Sequence, residues 1–143
     1  MSLPQPVLKP VPGLKRVFEF DQPWVVQLPH CRKWLTILPG FQIDGASIPR
    51  PFWWIVGEPM DSNFVAPAAA HDGLYAAELL PREDCDDEFE ELMERNSKVS
   101  RQRARLFHWA VRKFGWTVWA GHTRGSVNHA RMFCLLSEHK PEV

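Results

Sequence analysis

The chain has 143 residues, 45% of them hydrophobic, and its 17 basic and 17 acidic side chains cancel to a formal net charge of zero. That length supports one compact domain with one core, and the neutral balance argues against broad attraction to nucleic acid or to an anionic membrane surface. No apolar run reaches the length of a membrane-spanning helix, and Met1–Pro6 lacks the basic start and apolar stretch of a secretion signal.

Ten of the thirteen prolines fall in the first 60 residues. Pro4, Pro6, Pro10 and Pro12 make residues 1–14 an extended arm, laid across either the domain or a partner. Residues 15–143 then form a single α+β domain. From about residue 15 to 43 the pattern is strand-like. Arg16–Phe20 alternates with period two, and Trp24–Leu28 and Trp34–Leu38 are short aromatic or β-branched runs bounded by proline-containing turns. An antiparallel β-meander is the simplest arrangement of these runs.

Beyond a polar, turn-forming stretch at Asp44–Pro49, the apolar piece Phe52–Val56 reads as one helical turn followed by a loop, and the character then becomes helical. Asp61 or Ser62 can cap a first helix of about 64–79. After the break at Pro81, a second helix covers about 83–95, with the acidic run Glu83–Glu88 in its first turns, where the macrodipole favours negative charge. Ser100 caps a third helix of about 100–114, and Gly115 is placed to end it in a left-handed conformation. A short helix or strand is expected at Ala130–Leu136. Strands followed by helices define an α+β fold.

Three groups of residues carry candidate chemistry. On the first helix, His71, Asp72 and Tyr75 share an edge of one face, and a histidine beside a carboxylate can serve as general base or metal ligand. The bland alternative is a buried polar cluster. If the first two helices pack antiparallel, helical rise sets Asp86 level with Asp72 and Tyr75 rather than with His71. Asp86, with Arg82 nearby, then either joins Asp72 as a second carboxylate or accepts a hydrogen bond from Tyr75. Its bland reading is the solvated acidic turn that describes Asp84, Asp87 and Glu88.

Asp44, in Asp44-Gly45-Ala46-Ser47, is by itself a turn residue that caps backbone amides. Folded against the helix, Asp44, Asp72 and Asp86 would suit calcium or magnesium, and adding His71 would shift preference toward zinc. Ser47 is a conceivable nucleophile or orienting residue, but its flanks do not form G-x-S-x-G. The third helix carries Arg101, Arg103, Arg105, Arg112 and Lys113 as solvated charge around a buried stripe of Ala104, Phe107, Val111 and Phe114. Trp109, Trp116 and Trp119 read as core residues. The three widely spaced cysteines, Cys31, Cys85 and Cys134, form neither a disulfide framework nor a C-x-x-C site. They fit synthesis in a bacterial cytoplasm.

Taken together, Pro39–Arg50 with its Asp-Gly-Ala-Ser-Ile-Pro core, His71-Asp72-Gly73-Leu74-Tyr75, Arg82 with Cys85, Asp86 and Phe89, and Ala110–Arg112 with Phe114-Gly115 resemble domain-of-unknown-function family 1353. These are small proteins of phages and prophages. Ile43 and Cys85 stand where the family commonly has Thr and Ala. The resemblance raises Asp44, His71, Asp72, Tyr75, Arg82 and Asp86 above their neighbours without supplying an activity. A looser similarity links the His-Asp-x-x-Tyr run to secreted phospholipases, but Leu74 replaces their cysteine and no Gly-rich calcium loop precedes the helix.

Two functions follow as expectations. One is a metal-dependent hydrolase acting on peptidoglycan or lipid during phage entry or lysis, with His71 and Tyr75 reacting and Asp44, Asp72 and Asp86 holding the cation. The other is a non-catalytic virion or tail component in which the same cluster pins helices to a loop and residues 1–14 meet neighbouring subunits.

Overall fold

The computed structural model describes residues 3–44, 64–95 and 99–143. Among them are six short strands, β1 (Leu8–Pro10), β2 (Phe18–Phe20), β3 (Trp24–Gln27), β4 (Trp34–Ile37), β5 (Gln42–Ile43) and β6 (Cys134–Ser137). Five helices accompany them, α1 (Val65–Ala76), α2 (Arg82–Arg95), α3 (Arg101–Phe114), α4 (Trp116–Ala120) and α5 (Arg124–Arg131). The fold is α+β, with antiparallel sheets from the N-terminal part and helices after them. Ser47, the Phe52–Val56 turn and the capping residues Asp61 and Ser62 lie outside the described residues.

The strands divide into two three-stranded antiparallel sheets rather than one meander, ordered β1-β2-β5 and β3-β4-β6. Asp21 to Pro23 redirect the chain between sheets, and Gly40 turns it back into β5. Gly40 holds φ +99°, a value only glycine adopts without strain. The proline-rich N-terminal segment contributes β1, with Leu8 opposite Phe20 and Pro10 opposite Phe18. Trp24 Nε1 also donates to the Pro4 carbonyl at 3.0 Å. The arm therefore lies along its own domain. The Ala130–Leu136 stretch splits between the end of α5 and β6, and β6 pairs with β4 through Leu35–Leu136 and Ile37–Cys134.

Helix α1 is the axis of the molecule. Every residue from Ala66 to Tyr75 is buried, as expected for a helix covered on all sides. Its small side chains permit close approach. A Cβ on Gly73 would stand 2.9 Å from Ile37 Cδ1 and 3.4 Å from Cys134 Sγ, so this glycine seats the helix on the β3-β4-β6 sheet. Pro67 falls in the first turn, where its missing N–H costs no helical bond.

The main core joins Phe20, Trp24, Leu28, Leu35, Ile37 and Phe41 to Ala69, Ala70 and Leu74. A second cluster of Phe64, Ala68, Phe89, Met93, Ala104, Phe107 and Val111 joins α1, α2 and α3. Ser100 caps α3 by accepting the Arg103 N–H at 3.2 Å. Phe114 departs from the expected stripe and is 40% exposed. Trp109 and Trp116 are likewise surface residues, at 48% and 58%, and not core.

Candidate functional site

The helical pairing of α1 with α2 brings Asp86 against His71 as well as Tyr75. His71 Nε2 lies 2.9 Å from Asp86 Oδ1, and the Tyr75 hydroxyl donates to the same oxygen at 2.8 Å. The expectation that Asp86 would miss His71 by a turn is thus corrected. Both side chains are fully buried. A buried carboxylate facing the imidazole requires that Nε2 carry the hydrogen and donate it.

The other oxygen, Asp86 Oδ2, accepts from Arg112 Nε at 3.2 Å and lies 3.6 Å from Arg82 Nη1. Burial disfavours ionisation of Asp86, but the hydrogen bonds from His71, Tyr75 and Arg112 outweigh it and hold the carboxyl below its ordinary value. Burial and the Asp86 charge push the Tyr75 hydroxyl upward. Arg112, expected among solvated charges, instead ties α3 to α2, reaching also Asp87 Oδ1 at 2.9 Å and the Glu83 carbonyl at 3.0 Å. Arg82 returns the tie by donating to the Arg112 carbonyl at 3.0 Å, a favourable placement of a cation at a helix C-terminus.

Asp86 therefore has both oxygens committed to protein donors. Among the described residues, the histidine, cysteine and carboxylate groups whose ligand atoms lie within 4.8 Å of one another are His30–Asp84–Asp87 and His30–Glu88–Glu91. Asp44, Asp72 and Asp86 do not assemble as a ligand set. His71 is further enclosed by the rings of Tyr75 at 4.2 Å and Phe89 at 4.7 Å between centroids. This part of the predicted site is an interior network that locks α1, α2 and α3 together.

Asp44 and Asp72 belong to a different environment. They line a cleft of about 110 Å³ with Phe41, Gln42, Tyr75, Val118 and His122. His122 also borders an adjoining pocket of about 380 Å³ whose wall includes Glu78, Arg124, Asn128 and Arg131. At this junction His122 Nδ1 lies 3.1 Å from Glu78 Oε1. The pairing orients the ring and leaves Nε2 as the basic nitrogen when Nδ1 donates. Glu78 follows the end of α1 with φ +46°, a left-handed conformation that costs a side-chain-bearing residue about 1–2 kcal/mol. Arg131 Nε closes the helix end by donating to the Ala77 carbonyl at 2.7 Å.

His122 and Glu78 were not singled out from sequence, because they are 44 residues apart and neither stands in a motif. Glu88, grouped in sequence with the solvated acidic turn, is fully buried. The signal that could have found it is its register, three residues after Cys85 and four before Leu92 on the buried stripe of α2.

The profile of a protein family described as "Protein of unknown function (DUF1353)" matches residues 18–111. The chain belongs to the DUF1353 family. That match includes β2 to most of α3 and His71, Tyr75, Arg82 and Asp86, but ends just before Arg112, and His122 also lies beyond it. A relative, the uncharacterized protein y4jT of Sinorhizobium fredii (strain NBRC 101917 / NGR234), is 30% identical over 112 residues, which is 77% of this chain and 31% of the relative. The chain thus spans about a third of the length of that curated relative. No solved structure matches the chain. No helix among the described residues is long and apolar enough to cross a membrane.

Proposed function

We propose that this DUF1353 domain is a small hydrolase whose reacting centre is the junction of the two pockets at His122, with His122 as general base. The observation that carries this reading is the Glu78–His122 pair. A carboxylate held in a costly backbone conformation orients an imidazole, 14% exposed, between two openings. Strained non-glycine residues of this kind concentrate where geometry serves function.

One pocket is acidic at Asp44 and Asp72, and the other carries Arg124 and Arg131. A substrate bearing both charges fits that polarity, and the peptide portion of peptidoglycan has this character. Asp44 and Asp72 would hold a divalent cation such as calcium or magnesium, or the substrate's ammonium group. In a phage or prophage setting the protein would be made in the host cytoplasm and act on the envelope during entry or lysis. Tyr75, fixed by Asp86, forms part of the cleft wall, and His71 acts through that network.

The test is hydrolysis of purified sacculi by the full chain, with His122→Ala and Asp72→Asn as variants. Loss of general-base assistance lowers turnover by about 10²–10⁴-fold. Equal activity of the His122→Ala protein overturns the assignment.

A second reading, a non-catalytic virion or tail component, is favoured by the surface of α3 and α4. Trp109, Phe114 and Trp116 are each exposed, Trp109 against Phe114 at 5.9 Å between ring centroids, a composition typical of interface anchors. Co-sedimentation with phage particles, abolished by Trp109→Ala together with Trp116→Ala, would support it.

A further inference from the structure

A second cluster lies on the opposite side of α2 from the Asp86 network and takes no part in the reading above. Along this helix Asp84, Glu88 and Glu91 recur four and three residues apart, which puts their carboxylates on one face. The turn between β3 and β4 crosses that face. Its backbone is closed by Leu28 N–H to the Lys33 carbonyl at 2.8 Å and Arg32 N–H to the Leu28 carbonyl at 2.9 Å. His30 projects from the tip of the turn, with Nδ1 3.7 Å from Glu91 Oε2.

Among the described residues, two carboxylate oxygens here are buried without a hydrogen-bond partner, Glu88 Oε2 and Glu91 Oε2. Glu88 is fully enclosed. Its Oε1 accepts the Cys31 N–H at 2.6 Å, which fixes the carboxylate in place and leaves Oε2 open. A buried oxygen acceptor with no donor is costly unless something positive completes it. One ligand atom each from His30, Glu88 and Glu91 lies within 4.8 Å of the others.

We propose that His30, Glu88 and Glu91 bind one divalent transition-metal ion, zinc being the best match. One imidazole and two carboxylates form a mixed nitrogen–oxygen set of the kind zinc and manganese take, whereas calcium prefers six or more oxygens. Tetrahedral zinc with bonds of about 2.1 Å spaces its ligands about 3.4 Å apart. His30 Nδ1 and Glu91 Oε2, 3.7 Å apart, are already near that spacing, and their side chains, 45% and 40% exposed, have room to adjust around Glu88.

The alternative grouping, His30–Asp84–Asp87, is less available, because Asp87 Oδ1 already accepts from His108 Nε2 at 2.8 Å and from Arg112 Nη2 at 2.9 Å. Three protein ligands and two half-exposed side chains leave a coordination position open to water, which a closed structural zinc site lacks.

The experiment is titration of untagged, chelator-treated full-length protein with zinc chloride and with cobalt chloride, read by calorimetry and by the visible cobalt spectrum. One ion per chain is expected, with affinity at least tenfold weaker in His30→Ala and in Glu91→Gln. Both substitutions sit at half-exposed side chains, and circular dichroism confirms their folding. Asp44→Asn and Asp72→Asn are expected to leave the affinity unchanged, which separates this site from the hydrolase cleft. Absence of zinc binding, equal binding by His30→Ala, loss only in Asp44→Asn or Asp72→Asn, or a thiolate-to-cobalt charge-transfer band would each overturn it.

Discussion

The hydroxyl of Tyr75 occupies the space where a side chain on Gly115 would begin. A Cβ built there falls well inside contact with both Tyr75 Oη and the Val111 carbonyl. Gly115 itself has φ −64° and ψ −19°, so it does not end α3 in the expected left-handed conformation. The glycine is required by proximity rather than by backbone freedom, and α4 follows α3 directly. Gly115→Ala therefore strains the Asp86 network from outside and should cost about 1–3 kcal/mol. Adding Tyr75→Phe removes one of the two obstructing oxygens, so the double variant should lose less than the sum of the single losses. Strict additivity in urea denaturation would show that the contact is not the cause.

Asp86→Asn leaves Arg82 and Arg112 facing a neutral amide and keeps only one, uncharged, acceptor oxygen for the network. Breaking a buried charged network from one side costs roughly 3–5 kcal/mol. Because Asp86 is held below its ordinary value, its contribution is complete above about pH 4. It disappears as the pH falls through the folded-state value. The groups that set it are His71 on α1, Tyr75 on α1, Arg82 on α2 and Arg112 on α3. Wild type should lose stability on acidification below pH 4 more steeply than Asp86→Asn, measured by thermal denaturation at each pH.

Glu78 permits a comparison that separates backbone strain from side-chain chemistry. Glu78→Ala and Glu78→Gly both remove the carboxylate paired with His122, but only glycine relaxes φ +46°. The glycine variant should be more stable than the alanine variant by about 1 kcal/mol. Both should lose hydrolytic turnover equally. A glycine variant that keeps full activity would mean that Glu78 does not orient the base.

The cysteines should differ sharply in reactivity. Burial pushes Cys134 up to about 12 and raises Cys85 as well, so neither thiolate forms at ordinary pH. Cys31 is only partly covered. Alkylation at pH 8 followed by mass spectrometry should label Cys31 first, with Cys85 and Cys134 reacting only after unfolding. Early labelling of Cys134 would indicate that β6 opens readily from β4.

Much of this architecture was legible in the residues. The strand-then-helix order, the three main helices and the Ser100 cap follow from periodicity and capping chemistry. Helical rise set Asp86 level with Asp72 and Tyr75 and left the Tyr75 hydrogen bond as one of two roles, but it missed the reach of His71, because rise alone ignores the length and direction of side chains. Arg112 was hidden among five basic residues of α3, since only the packing of α3 on α2 decides which of them meets a carboxylate. The two sheets were hidden for a similar reason. Pairing of β2 with β1 and β5, and of β4 with β6, depends on contacts distant in the chain, to which local pattern is blind.

The pairing of β4 with β6 also dictates an order of events during synthesis. Residues 34–37 leave the ribosome with only β3 beside them, and their second partner, residues 134–137, is made only after α1 to α5. At ordinary elongation rates the open side of β4 waits about 5–20 s. Throughout that interval Leu35 and Ile37 lack their final neighbours, and Gly73 has no completed sheet on which to seat α1. The nascent chain is therefore a client for whatever shields unpaired strand edges, and a stop codon shortly before Cys134 would leave that need permanent.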